Sequence, residues 1–280
     1  MNEIKTVFKV NSNLIKLNVK SERFNFGEEE ILFNNDKTPV HLAMWKDKGF
    51  IVTKFLDRNT IETFNRGIQN IVKGYLAKYT NVSNFSLDKY HEYVDDNIHN
   101  KVIEEIRAGS KGTGGISLDL FPIPVSIVEQ RISEICGCNV SCRKTDTGYS
   151  VEHFWIRLIR PSSKDNNPPH RDVHLERSRG AVNLYFPIAG SNANSSLPII
   201  PGSQYWPESE IVRTFGDTFI NDIKYTNPAT VFAVKGLEMI TPNPAFDEVL
   251  VFTPYALHGG GVNLNNDTTR VSLEMRFWKI

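Results

Sequence analysis

The stretch NPPHRDVH, residues 167–174, sets His170 and Asp172 two positions apart, just after a pair of prolines. On an extended segment, side chains at i and i+2 point the same way, so this imidazole and this carboxylate can reach one ion. Such a donor pair suits a divalent transition metal. Iron(II) sites built from two histidines and one carboxylate leave three coordination positions open. A third ligand must then come from elsewhere, and besides His170 the chain offers only His41, His91, His99, His153, His174 and His258. His258 stands out. In VLVFTPYALHGGGVN an apolar run leads up to it and three glycines follow, leaving little bulk against an approaching ligand. Twelve residues on, TTRVSLEMRFW puts Arg270 and Ser272 on one face of a further strand. A guanidinium fork with a hydroxyl beside it is a suitable seat for a carboxylate.

The elements that must position these groups are legible as pattern. Residues 1–40 mix short apolar alternations, VFKV and LIKLNV, with charge, and read as strands or as an arm laid over the body. GFIVTKFL, residues 49–56, reads as a buried strand entered through Gly49. Asp57 can cap the helix after it, whose Ile61, Phe64, Ile68, Ile71, Val72, Tyr75 and Tyr79 recur at helical spacing. NIHNKVIEEIRAG predicts a second helix, stopped by GSKGTGG, which reads as a loop able to close over the site. A third helix starts after the prolines of FPIPVSIVEQRISEIC. From about residue 146 the segments YSVEHFWIRLI, AVNLYFPI, ATVFAV, EVLVFTP and RVSLEMRFW are short, β-branched and aromatic, with Pro, Gly and Asn between them. The expectation is one mainly β domain over residues 1–280, with flanking helices. It would comprise an N-terminal arm (1–40), a mostly helical buttress (41–145) and a barrel or sandwich core (146–280) that carries the site.

The ordered set His170-x-Asp172, SSLPIIPGSQYW, His258 and Arg270-x-Ser272 resembles the iron(II)/2-oxoglutarate-dependent dioxygenases. Within them it resembles the phytanoyl-CoA-dioxygenase-like branch, as does the opening WKDKGFIVTKFLDRNTIETF. The resemblance runs from about residue 42 to the C-terminus, with one departure: Gln204 stands where the branch's Pro-Gly-Ser-His turn has its histidine. It implies a double-stranded β-helix (a cupin-like jelly roll) buttressed by the N-terminal helices. It also implies iron(II) on His170, Asp172 and His258, and 2-oxoglutarate held by its distal carboxylate on Arg270 and Ser272. The keto-acid end would chelate the metal, with one position left for O2. The implied reaction is C–H oxidation by hydroxylation, desaturation or oxidative ring closure. Retention of Asp172 argues against halogenation, in which the carboxylate is lacking.

Candidate substrate contacts are Arg157, His174, Tyr185 and Arg177. Arg157 lies in phase with His153 and Trp155 on the strand before the metal motif, and reads equally as half of a salt bridge. Tyr185 and Asn183 alternate on the next strand and face either the pocket or the exterior. Arg171, Arg177 and Arg179 surround the motif, as solvated charge or as a rim that attracts a carboxylate or phosphate. The latter points to a small, amino-acid-like metabolite. Arg276 competes with Arg270 as carboxylate anchor but lies 18 residues past His258 and has no serine beside it.

Other readings of these residues are weaker or excluded. HRD is no kinase catalytic loop, because Arg177 stands where asparagine is needed. GSKGTGG lacks the Gly-Lys-Ser/Thr of a phosphate loop. A catalytically silent ligand-binding jelly roll and a zinc hydrolase on the same triad remain as alternatives. The 32 basic residues balance the 32 acidic ones, which gives no case for a nucleic-acid or anionic-membrane partner. No apolar run approaches the roughly 18 residues of a membrane helix. The polar N-terminus is unlike a secretory leader, so the expected setting is cytoplasmic and the expected partner a small molecule. Cys136, Cys138 and Cys142 in CGCNVSC read as buried or half-buried thiols, not a disulfide framework or a zinc site. His41, His91 and His99 are assigned no chemistry.

Overall fold

The computed structural model describes residues 1–35, 37–109, 115–143, 151–162, 165, 167–259 and 261–280. Most of GSKGTGG, expected as a closing loop, lies outside the described residues, as does the segment around residue 146. Period-two alternation makes the first two strands, β1 (Asn2–Val10) and β2 (Asn13–Phe26), which bury Phe8, Val10, Ile15, Leu17 and Val19. Asn11 and Ser12 join them at φ +46° and +71°, the left-handed pair that a tight two-residue hairpin needs. The short α1 (Leu32–Asn35) precedes β3 (Phe50–Lys54), entered through Gly49 at φ +83°. In α2 (Arg58–Leu76), Asp57 accepts the Thr60 N–H at 3.0 Å, and Ile61, Phe64, Ile68, Val72 and Leu76 form the buried stripe. Next come α3 (Asp96–Gly109), β4 (Gly115–Ser117) and α4 (Val125–Cys136), which ends at Gly137 in the left-handed region. The remaining strands are β5 (Val140–Ser141), β6 (His153–Ile159), β7 (Ala181–Ala189), β8 (Ile211–Ile220), β9 (Ile223–Tyr225), β10 (Thr230–Ala233), β11 (Glu238–Met239), β12 (Glu248–Phe252) and β13 (Arg270–Lys279).

The chain is mainly β. One sheet runs β10-β8-β2-β1-β11 with β9 on β8; the other runs β3-β12-β7-β13-β6-β4 with β5 on β13. Of the two readings of the N-terminal segment, strands or an arm, residues 2–26 take the first: they form two interior strands of the first sheet. The partner of β2 is IVRTFGDTFI, nearly 200 residues away in sequence and interrupted by Gly216, so nothing local announces the pairing. In the second sheet, alternation sorts each strand onto two faces. Val182, Leu184 and Phe186 of β7 and Val271, Leu273, Met275 and Phe277 of β13 pack against the helices. Phe64 of α2 stacks on Phe186 with ring centres 5.1 Å apart. Burying each such phenyl contributes about 2–3 kcal/mol. The opposite face carries Arg270, Ser272, Glu274 and Arg276 of β13, in register with Asn183 and Tyr185 of β7 and Trp155 and Arg157 of β6.

Outside this face, three features bear on the expectations. All three cysteines are free, and burial pushes the Cys136 and Cys142 thiols up to about 12. No helix among the described residues is long and apolar enough to cross a membrane. His99 lies buried in α3, its Nδ1 3.2 Å from the Tyr90 hydroxyl, and burial pushes it down from 6.5 to about 4 despite Asp165. Between those values the unfolded chain takes up a proton that the folded chain refuses, so stability is lost as pH falls from about 6.5 towards about 4. Thermal melts over that range are expected to decline less steeply in His99→Gln than in the parent; equal slopes would remove His99 as the source.

Candidate metal centre

A ladder of single β-bridges runs through Ala229, His170, His258, Ile199 and Ile240. At its middle, the His170 N–H donates to the His258 carbonyl at 2.8 Å, and the His258 N–H returns to His170 at 3.0 Å. Main-chain pairing thus sets the two imidazoles side by side, ring centres 4.4 Å apart. Each ring is pinned by its own loop: Nδ1 of His170 lies 2.9 Å from the Pro168 carbonyl, and Nδ1 of His258 lies 3.0 Å from that of Ala256. A carbonyl only accepts, so Nδ1 carries a proton in each ring, which directs a neutral ring's lone pair to Nε2. The Asp172 carboxylate lies 3.5 Å from Nε2 of His170 and 3.8 Å from Nε2 of His258. Donor atoms of the three lie within 4.8 Å of one another, and all three residues are buried. Two imidazole nitrogens and one carboxylate oxygen fit iron(II), and also zinc.

The route to this convergence differs from the extended strand expected. His170 is extended, but Asp172 opens a 3-10 turn, Asp172–His174, with its N–H on the Pro254 carbonyl at 3.0 Å. The turn carries His174 away from the group, where its Nε2 lies 3.1 Å from Oε2 of Glu208. The expected substrate contact at His174 is therefore not brought to the site. Arg171, wholly buried, ion-pairs with Glu208 and donates to the carbonyls of Ser203 and Trp206. Arg177 is exposed in the turn Glu176–Ser178, and Arg179 lies 3.7 Å from Glu176. Arg171 and Arg179 thus face acidic partners, and Arg177 alone of the three is exposed.

Burial alone would push the Asp172 carboxyl up; Arg276 and the two imidazoles outweigh it and hold the group well below the usual carboxylate range. Its Oδ2 accepts from Nη2 of Arg276 at 2.7 Å, Nε of Arg276 at 3.2 Å and Asn183 at 2.8 Å, while Oδ1 accepts from Asn227 at 3.2 Å. Burial, helped by the neighbouring His170, pushes His258 down to about 4, so the ring stays neutral and able to donate its lone pair. Tyr225 adds a hydroxyl 3.4 Å from Nδ1 of His170.

Along the same inner face, Arg270 is wholly buried, its guanidinium 5.6 Å from the centre of the Tyr185 ring. Ser272 is equally buried, and its Oγ has no hydrogen-bond partner among the described residues. That hydroxyl is an orphaned polar atom beside a guanidinium, which fits a carboxylate better than it fits a closed core. Tyr185 faces inward, its hydroxyl 2.9 Å from Oγ of Ser191. Arg157 lies on this wall too, 33% exposed and paired with Glu274 at 2.9 Å, the salt bridge that was one of its two expected readings.

Reading the sequence missed Glu274, Asn227, Tyr225 and the contact of Arg276 with Asp172. Alternation in RVSLEMRFW could have revealed Glu274 and Arg276, since both are in phase with Arg270. Asn227 and Tyr225 arrive from the other sheet and carry no local signal. The PGSQYW segment serves as support. Ser203 Oγ accepts the Leu257 N–H at 2.8 Å and donates to the Ile200 carbonyl at 2.7 Å, fixing the backbone next to His258. Gln204 donates to the Lys46 and Asp47 carbonyls and fills the space beside Gly49, where a Cβ would come within 2.5 Å of its Oε1.

No family model and no curated protein matches this sequence. Among solved structures the chain is similar to AviO1 from Streptomyces viridochromogenes Tue57, at 13% identity and TM-score 0.48, over 90% of this chain and 96% of that one. It is similar to EctD from S. alaskensis with 2-oxoglutarate and 5-hydroxyectoine, at 10% identity and TM-score 0.48, over 93% and 86%. It is also similar to the epimerase SnoN in complex with Fe3+, alpha ketoglutarate and nogalamycin RO, at 13% identity and TM-score 0.48, over 86% and 83%. SnoN is a non-heme alpha ketoglutarate dependent enzyme. Likeness at these values carries no weight for activity; the side chains of the site must.

Proposed function

We propose that the chain is a non-haem iron(II)/2-oxoglutarate-dependent oxygenase, its two sheets forming a double-stranded β-helix. In this reading it oxidises a C–H bond of a small, carboxylate-bearing, amino-acid-like metabolite in the cytoplasm. The observation that carries it is the buried pair of imidazoles, each with Nδ1 tied to a carbonyl and Nε2 turned to Asp172. Iron(II) with the keto acid and O2 supplies the oxidising chemistry when bound. The residues of the chain bind and orient. His170, Asp172 and His258 hold the metal from one side, and Arg270 with Ser272 holds the distal carboxylate of 2-oxoglutarate. Phe50, Leu197, Ile199, Leu250 and Phe252 form an apolar cluster with Tyr185 and exclude water behind it. Further along the same face, Arg157 accommodates a substrate carboxylate and Glu274 an amino group, without breaking their own pair.

Anaerobic addition of iron(II) and 2-oxoglutarate is expected to give a visible charge-transfer band, absent in His170→Ala, and admission of oxygen to give succinate. Activity that persists without oxygen or keto acid would instead identify a zinc hydrolase; no turnover despite tight ligand binding would identify a silent binder. Once a substrate is in hand, Glu274→Gln is expected to raise its KM about 10- to 100-fold, the worth of one charge-assisted hydrogen bond, with the KM for 2-oxoglutarate unchanged. An unaltered substrate KM would remove Glu274 from recognition.

A further inference from the structure

We propose that Arg276 is a positioning residue that ties up one oxygen of Asp172, so that only the other faces the metal. The inference rests on the oxygenase reading above and adds a role for a residue outside the ligand set. Both Nη2 and Nε of Arg276 approach the same atom, Oδ2, at 2.7 and 3.2 Å, and Asn183 brings a third donor to it at 2.8 Å. Three donors exhaust the lone pairs of that oxygen. Oδ1 receives one long contact, from Asn227 at 3.2 Å, and is the oxygen nearest Nε2 of His170. Nε2 of His258, 3.8 Å from Oδ2, is beyond hydrogen-bonding distance and does not compete for it.

The arrangement is built into the sheet. Arg276 and Asn183 are cross-strand partners, so neighbouring strands deliver both donors at one level. The Arg276 guanidinium lies 4.5 Å over the ring of Trp155, which holds the plane of the fork from behind. Glu274, two residues away on the same face, would be a rival partner for Arg276, but Arg157 holds it at 2.9 Å. The consequence is one of counting. Two imidazoles and one oxygen occupy three of six positions and leave three, enough for a two-point chelator and one further ligand. A carboxylate free to bind through both oxygens would take a fourth.

The test uses Co(II) as probe, under anaerobic conditions and read by its visible absorption, followed by titration with 2-oxoglutarate or with oxalate. Oxalate chelates a metal at two points but has no distal carboxylate. In Arg276→Met, both chelators are expected to bind the Co(II)-loaded protein at least tenfold more weakly than in the parent. Arg276→Lys, which returns the charge without the fork, is expected to recover part of the loss. Loss of Co(II) itself from a folded variant would mean that Arg276 is needed for metal binding as such, and overturns the proposal. Weakening of 2-oxoglutarate alone would mean that Arg276 touches the keto acid directly, and overturns the proposal, as does parental binding of both. Should Arg276→Met fail to fold, Arg276→Lys is read in its place against the same outcomes. If the parent protein binds no Co(II), the oxygenase reading itself falls, and the proposal with it.

Discussion

His258→Ala is expected to abolish oxygen-dependent succinate formation and to weaken iron(II) or Co(II) binding on the order of 100-fold or more. Four-ligand zinc sites bind with about 10–16 kcal/mol, roughly 3 kcal/mol per ligand, and a site with only three protein ligands has no spare donor. The fold is expected to survive, because what joins His258 to His170 is main chain to main chain, at 2.8 and 3.0 Å. Losing the ring orphans the Ala256 carbonyl and opens a small cavity, a modest cost beside the loss of the metal. Asp172, meanwhile, keeps its contacts to Arg276, Asn183 and Asn227. Metal titration beside a thermal melt checks this: a folded variant that still gives the parental charge-transfer band would remove His258 from the ligand set.

Arg270→Gln is expected to raise the KM for 2-oxoglutarate about 100- to 1000-fold, with kcat at saturation changed far less. A guanidinium gripping a carboxylate at two points makes two charge-assisted hydrogen bonds, about 3–5 kcal/mol together. Arg270 is wholly buried against Tyr185, so water replaces the lost contacts poorly. Arg270→Lys keeps the charge without the fork and is expected to fall between. Oxalate, with no distal carboxylate, is expected to bind Arg270→Gln as it binds the parent, unlike Arg276→Met, in which both chelators weaken. Succinate formation against 2-oxoglutarate concentration measures the first effect; an unchanged KM would take Arg270 out of cosubstrate binding.

The donors were legible in the sequence because chemistry there is a matter of residue type. Only seven histidines offered an imidazole, one of them two positions before Asp172, and RVSLEMRFW showed by its alternation that a row of polar groups must leave the helix-packed face. The buried stripe of α2 and its Asp57 cap were legible for the same local reason: a period of 3.6 and an N-cap are complete within a few residues. Partner choice is different, since it depends on which distant backbone closes a register. Only the tertiary structure could seat β2 on β8, bridge His170 to His258, or bring Asn227 and Tyr225 across from the other sheet. It also decided that the chain turns at Asp172, through one hydrogen bond to Pro254, so that His174 goes to Glu208 and Arg276 comes to Asp172. Side-chain type is written in the chain one residue at a time, whereas which oxygen of a carboxylate stays free depends on every strand that surrounds it.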